Sequence, residues 1–124
     1  MSEERNEAHL RVSHRDLLAP VLSRVVGMLA ARAQCPIDRL DDALLLADAV
    51  AAHAPRFSRD GCVDVVVRTD EAGLDLLVDA LRPSGGGELV AAAELPGVGN
   101  VLHKVADDVQ VPGDDSVRVR LGFA

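Results

Sequence analysis

Residues 97–121 read GVGNVLHKVADDVQVPGDDSVRVRL, and their order of turn, helix and hairpin decides the fold class. Pro96-Gly97-Val98-Gly99 opens a helix whose apolar stripe is Val98, Val101, Leu102 and Val105, ending near Asp107. Val109-Gln110-Val111 follows, then a Pro112-Gly113-Asp114-Asp115 turn, then Val117-Arg118-Val119-Arg120-Leu121 with strictly alternating apolar and charged side chains. Alternation puts Val117, Val119 and Leu121 on one face, so the tail predicts a hairpin with a single buried side. Such a hairpin, fed by an amphipathic helix, places helices on one face of a sheet.

Upstream, Ser84-Gly85-Gly86-Gly87 reads as a flexible glycine-rich loop, and the alanine-rich stretch from Glu88 to Leu95 suits a short helix. Leu74 to Leu81 fits two templates. Leu74, Leu76, Val78 and Ala80 alternate as in a strand, whereas Leu74, Leu77, Val78 and Leu81 share a helical face. Cys62 to Val67 is β-branched and nearly continuous, as in a central strand or one buried on both faces, and Thr69 to Gly73 supplies a polar turn.

Two helices precede that strand. The second spans about Asp38 to Ala54, buries Leu40, Ala43, Leu44, Ala47, Val50, Ala51 and Ala54, and stops at Pro55. The first runs about five turns from Asp16, striped by Leu17, Leu18, Val21, Leu22, Val25, Val26 and Leu29. Ser13 and Asp16 have capping-box spacing, and Pro20 falls early enough to lose few helical hydrogen bonds. His9 to Ser13 reads as a short edge strand, and residues 1–7 as a disordered leader to one domain over residues 8–124. The order β-α-α-β-β-loop-α-β-β predicts an α+β two-layer sandwich with helices on one face of a mostly antiparallel, mixed sheet.

Composition narrows the function. At 124 residues, 48% hydrophobic and 27% charged, the chain has the makeup of one globular domain. Phe57 and Phe123 are its only aromatic residues, so the core is aliphatic. A net charge of −7 repels phosphate backbones, and bases would find few rings to stack on, so nucleic-acid partners are disfavoured twice. No apolar run approaches the roughly 20 residues that span a bilayer. The polar, acidic start MSEERNEAH is the reverse of a signal peptide, so a cytoplasmic location without membrane attachment is expected. Cys35 and Cys62 stand alone, as reduced thiols would.

Two places could carry chemistry. The Gly97-Val98-Gly99 turn at a helix start suits phosphate, because glycines admit close backbone approach and the first helical amides are unpaired donors. A tight turn that simply needs small residues gives the same pattern. The end of the second helix is the other place. Asp48 and Ala52 share one face there, and His53 points about 100° away. An acid in this position could act as a base or hold a metal, though a solvated helix residue looks identical. His9, His14 and His103 have no metal-ligand spacing with it.

The element order and local matches together resemble the histidine-kinase-like ATPase superfamily, also called GHKL or Bergerat-fold, and within it the bacterial anti-sigma-factor serine kinases. Leu46-Ala47-Asp48-Ala49-Val50-Ala51-Ala52-His53-Ala54 looks like the family's helix bearing a general-base Glu and, four residues on, a magnesium-binding Asn. Gly97-Val98-Gly99-Asn100-Val101-Leu102-His103-Lys104-Val105 is similar to its second glycine box, which receives nucleotide phosphates. Ser116 to Phe123 resembles the closing strand. The resemblance also makes Leu74 to Leu81 a strand, ending where the family has an Asp-x-Gly-x-Gly adenine box.

The departures point away from catalysis. Asp48 at the base position is one methylene shorter than Glu, and Ala52 has no oxygen for magnesium. With Val78 as the adenine-box acid the glycine positions hold Ala80 and Arg82; with Asp79 they hold Leu81 and Pro83. Asp79 would still accept from an adenine amino group, while Gly97, Gly99 and Asn100 would face phosphates. The resemblance therefore implies a degenerate domain with weak or no ATP binding and no resident cofactor. It would regulate transcription by docking a sigma factor, an anti-sigma antagonist or a second copy of itself. The alternative it implies is an active Mg-ATP-dependent serine/threonine kinase.

Overall fold

Alternating burial along four strands builds the sheet that carries the molecule. In the computed structural model, which describes residues 5–124, the elements run β1 (Asn6–Val12), α1 (Arg15–Arg32), α2 (Ile37–His53), a 3-10 turn (Ala54–Phe57), β2 (Val63–Thr69) and β3 (Gly73–Asp79). They continue with α3 (Gly85–Ala92), β4 (Glu94–Leu95), β5 (Gly99–Asn100), α4 (Val101–Val105), β6 (Asp108–Gln110) and β7 (Val117–Gly122). The main sheet has the order β1-β2-β3-β7-β6, and β4 pairs with β5 in a separate two-strand ladder. Every pairing among the described residues is antiparallel, so the sheet is not mixed. The fold is the expected α+β two-layer sandwich.

One sheet face is apolar. Val63, Val65 and Val67 of β2, Leu74, Leu76 and Val78 of β3, and Val117, Val119 and Leu121 of β7 are all buried. Leu18, Leu22, Val26 and Leu29 of α1, with Ala43, Leu46, Ala47 and Val50 of α2, belong to the same core. The small alanines of α2 give the helices room to approach each other and the strands. This arrangement resolves the segment from Leu74 to Leu81. Between β2 and β7 the backbone of β3 is paired on both sides; a helix in its place would satisfy its own backbone but leave the facing edges of β2 and β7 unpaired.

Several boundaries differ from the sequence reading. β1 begins at Asn6, so Asn6 and Glu7 pair in the sheet; Met1 to Glu4 of the expected leader lie outside the described residues. The N-cap of α1 is His14 and makes no side-chain cap bond, so Ser13 and Asp16 form no capping box. In α2, Leu46 and Ala49 are buried while Leu40 and Leu44 are only half-covered, a stripe rotated from the expected one. β2 is covered on one side only, with Asp64, Val66 and Arg68 half-exposed on the other.

The glycine triplet is helix, not loop. α3 starts at Gly85, and the Gly86 N–H donates to the Asp114 carbonyl at 2.9 Å. A Cβ on Gly86 would stand 2.6 Å from the Ser116 carbonyl oxygen, so glycine lets α3 press directly on the approach to β7. Conversely, the helix expected from Gly97 is reduced to the five residues of α4.

Candidate functional site

The sequence-derived residues fall in three separate places. Asp48 is exposed on α2 and accepts a 3.3 Å hydrogen bond from Ser23 Oγ of α1. With Ala52, also exposed, it lines an open groove of about 640 Å³ between the two helices, bordered by Arg15, Asp16 and Arg56. The same α2 turn sends His53 elsewhere: its Nε2 donates to the Glu94 carbonyl at 2.7 Å, tying α2 to the start of β4. Buried Nδ1 of His53 finds no partner among the described residues.

Asp79 lies on the opposite side of the molecule. It follows Leu74, Leu76 and Val78 by one pleat, so its side chain stands on the sheet face turned away from the helices, across from Asp64 of β2. Its Oδ1 accepts from the Ala80 N–H at 2.9 Å. Ala80 adopts φ +58°, a left-handed conformation that glycine favours. Leu81 then turns back into the core and is fully buried. The Arg82 N–H donates to the Phe57 carbonyl at 2.8 Å, and its guanidinium lies over the Phe57 ring and pairs with Glu88.

Gly97, Gly99 and Asn100 stay together. Gly97 and Gly99 have φ of +79° and +86°, which explains both glycines as turn formers. The Asn100 side chain caps α4, with Oδ1 accepting from the His103 N–H at 3.1 Å and Nδ2 donating to the Val90 carbonyl at 2.8 Å. Lys104 is the residue that sequence spacing missed. Its Nζ donates to the Val98 carbonyl at 2.6 Å, placing a cation over the turn, and a Cβ on Gly99 would lie 2.9 Å from it. The signal was present as helical spacing from Asn100 to Lys104, but a lysine on a short helix reads as solvated.

A second polar region emerges only with the strand register. The sheet face away from the helices carries a transverse row in which Glu7 faces Arg68, Arg68 faces Asp75, Asp75 faces Arg120, and Arg120 faces Asp108. Charges alternate along the row. Arg120 Nη1 donates to Asp75 Oδ2 at 2.9 Å, Arg118 approaches the same oxygen at 3.7 Å, and Arg68 Nε donates to Glu7. Hydrogen bonds from His9 and then Arg68 hold the Glu7 carboxyl below its ordinary value. Elsewhere, burial pushes the Cys35 thiol up, which disfavours the reactive thiolate.

Among the described residues no group of three or more His, Cys, Asp or Glu side chains is placed to hold a metal, and no helix is long and apolar enough to cross a membrane. No protein-family model matches this sequence, and neither does any curated protein.

Proposed function

We propose that this chain is a regulatory domain of the histidine-kinase-like ATPase superfamily, of the anti-sigma-factor type, that binds a protein partner and has weak or no affinity for ATP. The observation that carries this reading is the turn after Asp79. Ala80 takes the left-handed backbone of a glycine without being glycine, and Leu81 is built into the core beside Phe57, with which it shares the buried cluster. A turn shaped for small residues has become part of the packing.

Two further features support it. The strand-helix-helix-strand-strand start and the closing helix and hairpin follow the order the resemblance implies, with α3 and the β4–β5 ladder standing between them. Asp48 and Asp79 stand on opposite faces of the sandwich, the first on the helix surface and the second on the bare sheet face. A base and an adenine acceptor so divided do not serve one nucleotide. An acidic chain of net charge −7 also suits a basic patch on a sigma factor or antagonist.

The test has two arms. Melting is followed with and without millimolar Mg-ATP, and the purified chain is titrated calorimetrically with sigma factors and antagonists from the same cell. An unchanged melting temperature with saturable partner binding is expected. Ligand at 100 times its dissociation constant adds about 2.7 kcal/mol, so a working pocket would raise the melting temperature visibly and favour a kinase instead.

A further inference from the structure

We propose that two copies of this chain pair antiparallel through their β1 strands, extending the five-stranded sheet across a two-fold axis that passes beside His9. The pairing needs only the chain itself, so it stands or falls separately from any sigma factor or antagonist.

β1 forms one edge of the main sheet, and among the described residues no strand pairs with its outer side. The opposite edge, β6, is three residues long and is soon followed by Pro112 and Gly113. β1 is seven residues long, pairs with β2 without a break in register, and contains neither proline nor lysine. Sheets blunt their edges with short strands, bulges, proline or lysine, and an edge with none of these is a template for another strand. The charges that β1 does carry, Glu7 and Arg11, are opposite in sign, so they select a partner strand.

The flank of α1 beside this edge is apolar as well. Leu17, Val21 and Met28 recur at helical spacing on one stripe, and Leu17 and Met28 are each about half exposed. Leu17 and Val21 line a hollow of about 410 Å³ with His9 to His14. At the other end of the strand Asn6 pairs with Thr69, whose hydroxyl donates to the Leu29 carbonyl, so Met28 stands near Asn6. The stripe therefore runs the length of β1, below the half-covered Leu10 and Val12.

Self-complementarity identifies the occupant. A two-fold axis perpendicular to the sheet keeps both helix layers on one side, and so sets odd-numbered residues of β1 against odd-numbered ones. Centring on His9 overlaps the whole strand, from Asn6 against Val12 to Val12 against Asn6. It sets Ala8 against Leu10 on the helix side and Glu7 against Arg11 on the bare side, the latter at both ends. Ion pairs within each protomer do not exhaust this match. Arg11 is shared between Asp60 and Asp64, which leaves its end of the strand acidic. Glu7 is met by Arg68 and His9, with Arg5 two residues away, which leaves the other end basic. Antiparallel pairing lays the basic end of one copy on the acidic end of the other. Shifting the axis to Ala8 opposes Arg5 to Arg11, and shifting it to Leu10 opposes His9 to Arg11, so neither keeps the Glu7–Arg11 match.

Sedimentation equilibrium of the full chain, combined with disulfide trapping, tests this. A monomer–dimer equilibrium is expected. Arg11→Glu opposes two acids at both ends and should raise the dissociation constant about tenfold, and adding Glu7→Arg should return it close to the starting value. Leu17→Glu, at a half-exposed position, should weaken the dimer similarly with the helical circular dichroism unchanged. With Cys35→Ser and Cys62→Ser in the background, His9→Cys should give an oxidised dimer because position 9 meets its own copy, whereas Glu7→Cys should not. Four outcomes would each overturn the proposal: a chain monomeric at its highest soluble concentration, which leaves the edge to a different protein; a dimer that Arg11→Glu and Leu17→Glu leave intact; a double variant no tighter than Arg11→Glu alone; or trapping as ready at position 7 as at position 9.

Discussion

Asp75 and Arg120 stand directly opposite each other on β3 and β7, and the guanidinium closes on the carboxylate at 2.9 Å. The pair is unequal. Asp75 is nearly buried whereas Arg120 keeps part of its side chain in water, so the carboxylate depends on the arginine more than the reverse. Arg120→Ala leaves Arg118 as the only base on Oδ2, and should cost about 2 kcal/mol in urea denaturation. Replacing both residues by leucine removes the stranded charge and should recover most of that loss. A double variant as unstable as the single one would show that the pair acts through something other than charge compensation.

The glycines and Ala80 predict opposite signs for similar changes. Gly86→Ala drives a methyl into the Ser116 carbonyl and should destabilise by about 1–3 kcal/mol. Its neighbour meets nothing within 4 Å, so Gly87→Ala should stabilise α3 by about 1 kcal/mol. Ala80→Gly relieves a left-handed alanine and should gain about 0.5–1 kcal/mol despite the greater freedom of the unfolded chain. Thermal or urea denaturation of the three variants reads all of these.

Placing on α2 the Glu and Asn that the proposed resemblance would have there should not create a nucleotide site. The double substitution Asp48→Glu, Ala52→Asn changes two exposed positions beside Ser23 of α1, with Leu81 still filling the core. We expect no rise in melting temperature with millimolar Mg-ATP. Tight, magnesium-dependent binding by this variant would mean that the turn after Asp79 does not obstruct the base.

Glu7 offers a test by pH. Its carboxyl is held below the ordinary value of 4.5 first by His9 and next by Arg68. Because the folded pKa is the lower one, ionised Glu7 adds stability above its unfolded pKa, and that contribution disappears as pH falls through the folded pKa. Carboxyl-carbon NMR titration should show a midpoint under 4.5, moving up in both His9→Ala and Arg68→Gln. A midpoint unmoved by either substitution would remove these partners as its cause.

What could be read in the sequence was periodicity. The alternation of Val117 to Leu121 recurs in the structure, and of the α1 stripe Leu18, Leu22, Val26 and Leu29 are buried, whereas Val21 and Val25 are half-covered and Leu17 is exposed. Where neighbours decide, the reading was incomplete. Gly85 to Gly87 carries loop composition, yet it opens α3, and at Gly86 it is the approach of the Ser116 and Asp114 carbonyls, a tertiary contact, that leaves no room for a side chain. α4 is short because Gly99 and Asn100 pair with Leu95 and Glu94, a tertiary choice invisible in the stripe of Val98 to Val105. The arginines of β7 were visibly on one face, but nothing local said that Asp75 and Glu7 would complete their row. That information lies in strand register.

The strand order also governs how the molecule is reached from the unfolded chain. Within the main sheet, β2 and β3 have the shortest connection among the described residues, a tight turn closed by Asp70 receiving the Ala72 and Gly73 amides. Every other neighbour of this hairpin arrives from afar: Ala8 meets Val67 across both long helices, and Leu76 meets Val119 across α3 and α4. Distant pairings must close large loops before their contacts reward them, which slows the search. The β2–β3 hairpin is thus the natural nucleus, and its flanks are ordered last. Folding kinetics should respond to changes at Asp70 far more strongly than to changes on β1.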